Sequence, residues 1–375
     1  MKRFQLARVR LPALVMFVFV IAFAAPGLAR AAGSSGFVYT MSNSASANTV
    51  IAYTHAADGT LNSNGAYATG GAGTGQPRLG SQGSVILTPN GHWLLVANPG
   101  SDDVSVFAVA SDGRLSLTDR EPSNGDRPES ITIRGSLVYV LNTGSPNNIS
   151  GYVLDGNGNL ARLPGSVRQL SQEGALPAEV QFSPDGGTLV VTERNTNLID
   201  TFALNPTGRP THVVTHRSSG IGPFGFAFRH DGVFVVTESF NGAPGAAAAS
   251  SYALTGGFRT ISGTVGDTQS DVCWTVITNN ERFAYITNNG SGTISSYTIA
   301  ADGSITLLQA VAGVTGGPGG FGTRDADLTN DGTYLYAIDV GTLTVNSFRV
   351  NTDGTLTKIA AYGGLPSTFA GLAAS

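Results

Sequence analysis

One sequence pattern recurs seven times in this chain, at intervals of about 50 residues. Each copy contains an apolar strand, a polar loop, a second apolar strand with an aromatic residue near its end, and a turn. Two clear copies are WLLVANPGSDDVSVFAVASDGRL from Trp93 and FAYITNNGSGTISSYTIAADGSI from Phe283. The aromatic residues that mark the copies are Tyr53, Phe107, Tyr152, Phe202, Tyr252, Tyr297 and Phe348. A period of this length predicts an architecture of repeated units, each packed against its neighbours.

Each copy is predicted to be entirely β. Apolar residues alternate in the strands, as at Val104 and Val106, and Asp-Gly pairs such as Asp353-Gly354 supply the positive φ of tight hairpins. A further apolar strand precedes most copies, and another follows each turn. Four short antiparallel strands in each of seven repeats predict an all-β fold, a seven-bladed β-propeller.

The first repeat lacks a preceding strand of its own. The end of the chain, STFAGLAA from Ser367 to Ala374, is short, small and apolar. We therefore expect this C-terminal strand to join the first blade as its innermost strand and to close the ring. Closure removes the exposed sheet edges that would otherwise pair with other chains.

The first 31 residues are predicted to be a secretory signal peptide. A basic start is followed by the apolar run Leu11–Ala24, and then by Ala29-Arg30-Ala31, which has the form of a signal-peptidase site. An uncleaved membrane anchor is the alternative, but 14 apolar residues are fewer than the roughly 20 of a spanning helix. We expect residues 32–375 to form a single propeller domain that is secreted, periplasmic or on the cell surface.

Charge and composition exclude several classes of protein. Cleavage after Ala31 removes five of the 21 basic residues and leaves 25 acidic ones, and Lys2 and Lys358 are the only lysines. This acidic balance argues against binding to nucleic acid or, after signal cleavage, to an anionic membrane. The single cysteine, Cys273, excludes a disulfide framework and a cysteine-based zinc site.

Candidate catalytic residues follow from the expected connectivity. The inner strands begin, and the second strands end, on the same face, around the mouth of the central channel. There Glu193 and Glu238 replace the asparagine that three other copies carry, and neighbouring carboxylates can divide the roles of acid and base. Arg324 could stabilise an oxyanion. Alternatively, Glu193 caps its turn and the arginines only neutralise the rim.

Candidate substrate-binding residues are Arg194 at the same rim and Glu179, Trp274 and Asp325, which alignment of the repeats places at one level of the inner strands. Trp274 could equally belong to the core. No cofactor or metal is expected, although Ca²⁺ held by oxygen ligands from Glu179, Glu238, Asp325 or Asp327 is an alternative. None of the five histidines falls at the predicted mouth.

The repeats resemble the lactonase family of seven-bladed propellers and its YVTN-like relatives, in an exported bacterial branch. The resemblance is carried by LVYVLNTGSPNNISGYVLDGNGNL from Leu137, by SPDG from Ser183 and by LVVTERNTNLIDTF from Leu189. It implies a site of Glu, Arg and His at the channel mouth, onto which Glu193, Glu238, Arg194 and Arg324 map. The enzymes' inner strands often begin Pro-His, whereas Pro128-Glu129, Pro177-Ala178 and Pro223-Phe224 stand here.

Two functions remain open from the sequence. The first is an exported lactone hydrolase or cycloisomerase acting on a small lactone or carboxylate at the channel mouth. The second is a non-catalytic propeller that binds a small ligand, a glycan or a protein on that face. In both cases we expect a monomer. The fold alone does not decide between them, because propellers carry many functions.

Overall fold

The structure, a computed structural model, describes residues 1–2, 36–77, 79–316 and 322–375. Its strands form seven sheets of antiparallel strands, in the order expected for a propeller. The all-β prediction is confirmed: among the described residues the one helical element is a single 3₁₀ turn at Phe240–Gly242. The predicted signal peptide lies outside the described residues except for its first two, so its boundary stays a prediction.

The blades follow one another along the chain. Blade one contains β1 (Gly36–Met41), β2 (Thr49–His55) and β3 (Leu61–Ala68). Blade two contains β4 (Val85–Leu87), β5 (Trp93–Asn98), β6 (Asp103–Val109) and β7 (Leu115–Pro122). Blade three contains β8 (Pro128–Arg134), β9 (Leu137–Asn142), β10 (Asn148–Leu154), β11 (Leu160–Arg162) and the short β12 (Arg168–Gln169).

The remaining blades each contain four strands of their own. Blade four contains β13 (Pro177–Phe182), β14 (Thr188–Glu193), β15 (Leu198–Ala203) and β16 (Val214–Arg217). Blade five contains β17 (Pro223–Phe228), β18 (Val233–Glu238), β19 (Ala248–Ala253) and β20 (Arg259–Gly266). Blade six contains β21 (Val272–Ile277), β22 (Phe283–Asn288), β23 (Thr293–Ile299) and β24 (Ile305–Val314). Blade seven contains β25 (Thr323–Leu328), β26 (Tyr334–Asp339), β27 (Thr344–Val350) and β28 (Leu356–Tyr362).

The end of the chain closes the ring, as predicted. Strand β29 (Ala370–Ala374) pairs antiparallel with β1, with Val38 opposite Ala374 and Met41 opposite Ala370. The sheet order is therefore β29-β1-β2-β3, so the first and last strands, β1 and β29, lie in the same blade. This pairing covers the edge of β1, which would otherwise present unpaired N–H and C=O groups.

The Asp-Gly turns hold neighbouring blades together as well as reversing the chain. Gly113 has φ +79°, and a Cβ placed on it would lie 2.2 Å from the Phe37 ring of the adjacent blade. Gly354 has φ +83° and meets Phe283 in the same way. Glycine is therefore required at these two positions for two reasons: the positive φ of the turn and the close approach of an aromatic ring from the adjacent blade.

In four blades a tyrosine in the second strand, counted from the channel, forms a hydrogen bond to a hairpin turn. It donates its hydroxyl to the carbonyl of the turn glycine in another blade, at 2.7–3.2 Å, in the pairs Tyr39–Gly113, Tyr139–Gly208, Tyr285–Gly354 and Tyr336–Gly59. These tyrosines are buried, so each hydroxyl needs a partner of this kind. The recurring tyrosine of the repeat thus connects one blade to another.

The innermost strands each have an edge that faces the channel, and side chains from adjacent blades cover it. Glu179 Oε2 accepts from Phe226 N at 2.6 Å, and Gln181 Nε2 donates to Phe226 O at 3.0 Å. Asp327 Oδ2 accepts from Ala374 N on the closing strand at 2.9 Å. The ring thereby satisfies backbone groups that have no strand partner.

Candidate functional site

A four-residue segment, Leu79–Gln82, reaches across the channel on the face where the inner strands begin. We call it the plug segment and call this side of the ring the mouth face. The segment precedes β4 of blade two but bonds to four other blades. Its contacts are Arg324 Nη1 to Leu79 O at 3.1 Å, Gly80 N to Glu129 Oε2 at 3.3 Å, Trp274 Nε1 to Ser81 O at 3.2 Å and Gln82 N to Ala178 O at 3.0 Å.

Two arginines lie over aromatic rings beside the plug segment. The Arg194 guanidinium is 4.7 Å from the centre of the Phe224 ring, and that of Arg324 is 5.6 Å from Trp274. The two rings are 5.5 Å apart and are buried with Cys273 and Ala178. Such stacking holds a guanidinium in place, and Arg194 is held further by a hydrogen bond from its Nε to Leu176 O at 3.2 Å.

The electrostatics of this face are set by burial and by the closeness of like charges. Burial lowers the pKa of Arg194, nearby Arg324 lowers it further, and Cys273, Glu129 and Asp271 act in the opposite direction. Two cations held close together on an apolar floor attract an anion, since little water screens them. Burial also raises the pKa of the Cys273 thiol to about 12, so a thiolate nucleophile is not formed near neutral pH.

Glu129 is a carboxylate at this face that the predicted site residues did not include. Its Oε1 lies 2.5 Å from Arg127 Nε, and its Oε2 accepts from Gly80 of the plug segment. The side chain of Arg194 lies against Gly80, because a Cβ there would be 2.8 Å from Arg194 Nη2. The available signal was its register: Glu129 stands second in its inner strand, the position at which the resemblance described above implies histidine.

Predicted residues Arg194, Arg324 and Trp274 are therefore brought together at the mouth face. Glu179 and Asp325 interact with each other, since Asp325 contributes to the raised pKa of Glu179, whose main cause is burial. Both, however, line the channel on the other side of the plug segment. Trp274 is almost fully buried, as expected if it belongs to the core. It therefore lies beneath Arg324 and does not offer an open surface for stacking against a ligand.

Glu193 does not lie open at the mouth, contrary to the expectation. It is fully buried in blade four, where Ser171 Oγ and Thr196 Oγ1 both donate to its Oε2 at 2.6 Å. Its Oε1 accepts from Ser171 N at 3.1 Å. The side chain thus ties the end of β14 to the connection that leads into β13, and this placement favours the turn-capping alternative.

Glu238 has the equivalent placement in blade five. It is fully buried and accepts from Ser250 Oγ at 2.6 Å, Gly220 N at 2.7 Å and Thr264 Oγ1 at 2.8 Å. The corresponding strand-end residues of four other blades are buried too: Asn98, Asn142, Asn288 and Asp339. The glutamates therefore share a structural position with the asparagines, and neither contacts Arg194 or Arg324 in the described hydrogen bonds. Their role in proton transfer stays a prediction.

Glu193 shares its buried site with a second carboxyl group, that of Asp200 on β15. Burial, and then the hydrogen bond and charge of Glu193, raise the pKa of Asp200 to about 8. At neutral pH the native pair therefore holds a proton that the unfolded Asp200 has lost. Such a proton would supply a donor between two groups that otherwise both accept hydrogen bonds.

The shared proton makes stability fall as the pH rises. A raised native pKa contributes stability fully below the unfolded pKa near 4 and loses it as the pH passes through about 8. Asp200→Asn supplies the donor without titration, so we expect its urea midpoint to fall less than that of the wild type between pH 6 and pH 9. Asp302→Asn, in an exposed turn, is the control. Equal slopes for the wild type and Asp200→Asn would contradict the shared proton.

The channel holds a cavity of about 590 Å³ below the plug segment. It is lined by the second halves of the inner strands and by the turns that follow them, including Glu179, Asp325 and Asp327. The cavity therefore lies toward the face where the inner strands end, which we call the cavity face. The sequence placed the functional opening of the channel on the opposite face.

No group of three or more acidic, histidine or cysteine side chains suited to a metal ion occurs within the described residues. Of the four oxygen ligands named for the calcium alternative, Glu238 lies in its own network in blade five, apart from Glu179, Asp325 and Asp327 of the channel. None of the helical segments in the described chain is long and apolar enough to cross a membrane.

Comparison with known proteins agrees with this architecture. The family model described as "Lactonase, 7-bladed beta-propeller" matches residues 30–171, 164–242 and 233–369. A 6-phosphogluconolactonase of Yersinia enterocolitica is 22% identical over 163 residues, 41% of this chain and 49% of that protein. One from Yersinia pestis is 24% identical over 41% and 48%. The chain thus matches about half the length of these curated relatives.

Solved structures share the fold at low identity. A protein from Lactobacillus plantarum superposes with a TM-score of 0.71 at 17% identity, covering 91% of this chain and 98% of that one. The periplasmic gluconolactonase of Pseudomonas aeruginosa gives a TM-score of 0.65 at 16% identity, covering 89% and 98%. Because the family model spans most of the sequence and the structure has the matching seven blades, the chain belongs to the lactonase family of seven-bladed β-propellers.

Proposed function

We propose that the protein is an exported lactonase that hydrolyses, or isomerises, a small lactone or carboxylate substrate at the mouth face. The observation that carries this proposal is the pair of arginines, Arg194 and Arg324, held over Phe224 and Trp274 beside the plug segment. Membership of the lactonase family and the fold shared with a periplasmic gluconolactonase support it. Export rests on the predicted signal peptide.

The proposed hydrolysis needs a base and a site for negative charge. Glu129 would take a proton from water, whose oxygen attacks the lactone carbonyl, and would then deliver that proton to the departing ring oxygen. Arg194 and Arg324 would stabilise the negative charge that develops on the carbonyl oxygen and then bind the product carboxylate. The position of the glutamate suits this role, because its contacts with Arg127 and Gly80 N hold it beside the arginine pair.

Substitution of Arg194 tests the assignment. With the mature protein and a panel of small lactones that includes gluconolactone, we expect Arg194→Ala and Glu129→Gln each to lower kcat/KM by about 100-fold or more. The reason is that each removes a charge that the proposed transition state needs. Arg259→Ala, on the exposed outer strand β20, is the matched control and should retain wild-type turnover.

Two results would overturn the proposal: no turnover of any lactone by the wild type, or full turnover by Arg194→Ala. If the wild type has no activity but small carboxylates raise its Tm, and this shift is lost in Arg194→Ala, the non-catalytic ligand-binding alternative is supported instead.

A further inference from the structure

The central cavity is separate from the mouth face. The plug segment closes the channel between them through bonds to blades three, four, six and seven, while the cavity is bounded by Thr88, Arg134, Ser183, Asn279 and Asn330 near the cavity face. Arg134, Asn279 and Asn330 are exposed, so a ligand can enter from that side. A volume of about 590 Å³ is in the range of small-molecule sites.

The cavity walls combine apolar and polar groups. Leu87, Ile133, Phe228 and Ile277 contribute apolar surface along the inner strands. Thr275 is also part of the wall, and its buried hydroxyl has no hydrogen-bond partner among the described residues. An apolar tube with a few polar groups at one depth favours an elongated ligand with a polar end.

The polar groups at depth are acidic. Glu179 on β13 and Asp325 and Asp327 on β25 line the cavity, and among its described lining residues Arg134, at the rim of β8, is the one with a basic side chain. Arg324 is beside Asp325 but bonds to the plug segment on the mouth side. Burial, followed by the charge of Asp327, raises the pKa of Asp325, while Arg324 acts in the opposite direction, and burial raises the pKa of Asp327 to about 6. Arg324 is thus a cationic neighbour of Asp325 from outside the described cavity lining, in which three carboxyl groups face the single basic side chain of Arg134.

We propose that this cavity is a second ligand site, entered from the cavity face, for a small aliphatic amine. Its methylene groups would lie against the apolar wall, and its ammonium group would pair with Asp325 and Asp327. An ammonium would add a positive charge inside the cavity, where acidic side chains outnumber basic ones among the described lining residues, and it would supply hydrogen-bond donors. An anion would be repelled by the same groups, so this site has the opposite charge preference from the arginine pair.

The test compares three four-carbon probes with the purified protein by calorimetry: putrescine, uncharged 1,4-butanediol and succinate. Putrescine should bind at pH 8, and at least tenfold more weakly at pH 5, because Asp327 is ionised above about pH 6 and neutral below it. Neither of the other probes should bind. If butanediol binds as tightly as putrescine, or putrescine does not bind at pH 8, the proposal is wrong.

Variants locate the site and separate it from the proposed lactonase function. Asp327→Asn keeps an oxygen acceptor for Ala374 N but removes the charge, and should weaken putrescine binding at least tenfold. Asp353→Asn makes the same charge change in an exposed turn and should have no effect. Arg194→Ala should leave putrescine binding intact even where it abolishes lactone turnover. Equal binding by Asp327→Asn and Asp353→Asn would exclude the cavity as the site.

Discussion

Deletion of residues 367–375 is expected to leave the protein unable to persist as a folded monomer. The deletion removes β29, and with it the buried Phe369 and Leu372 and the strand that pairs with β1. Burial of each large apolar side chain contributes about 2–3 kcal/mol. The exposed β1 edge and the loss of the hydrogen bond from Ala374 N to Asp327 add further cost, so the total is comparable to a typical net stability of about 5–15 kcal/mol.

Size-exclusion chromatography and thermal melting measure this outcome. We expect the truncated protein to aggregate or to lose its cooperative transition, and a synthetic peptide of residues 367–375 to restore that transition when added in excess. The restoration serves as the control, since it shows that the loss comes from the missing strand. A truncated protein that stays monomeric with an unchanged Tm would contradict closure by β29.

Glu238→Ala is expected to destabilise the fold by about 3–5 kcal/mol. The carboxylate is fully buried and accepts from Ser250, Gly220 N, Thr264 and, at 3.3 Å, Ser218, so its removal takes the acceptor from four donors and leaves a cavity in blade five. Glu238→Gln keeps the shape and one acceptor oxygen and should cost less. Chemical denaturation with urea measures the difference in unfolding free energy.

The matched control is Glu173→Ala, which removes a carboxylate from an exposed loop and should change stability by less than about 0.5 kcal/mol. Wild-type stability of Glu238→Ala would show that the network is dispensable. Loss of lactone turnover by a folded, fully stable Glu238→Gln would instead return this glutamate to the catalytic role that its sequence position suggested.

The repeat made the blades predictable because its determinants are local. Alternating apolar residues define each strand, and Asp-Gly pairs define each hairpin, so seven copies specify the ring and its closing strand. The role of Tyr139 was not visible in this way. Its partner, the Gly208 carbonyl, lies in another blade. Only the assembled ring shows that the tyrosine hydroxyl donates a hydrogen bond to the turn of that blade.

The site was less predictable because its geometry depends on contacts between distant blades. Glu193 stands at the correct end of its strand, but its side chain points into the network of Ser171 and Thr196 and not toward the channel. The plug segment carries no recognisable sequence motif. The role of Gly80 depends on its contacts with Glu129 and Arg194, which lie in blades three and four and are distant in sequence. Arg194 and Arg324 were identified because the repeat register places both at the rim of the channel mouth.

The central claim is that the mouth face recognises a carboxylate through Arg194 and Arg324. A crystal structure of the mature protein with bound gluconate tests it most directly. The account predicts the gluconate carboxylate at about 2.8 Å from guanidinium nitrogens of both arginines, above Phe224 and Trp274. Gluconate bound in the central cavity, or held only by residues away from this arginine pair, would contradict it.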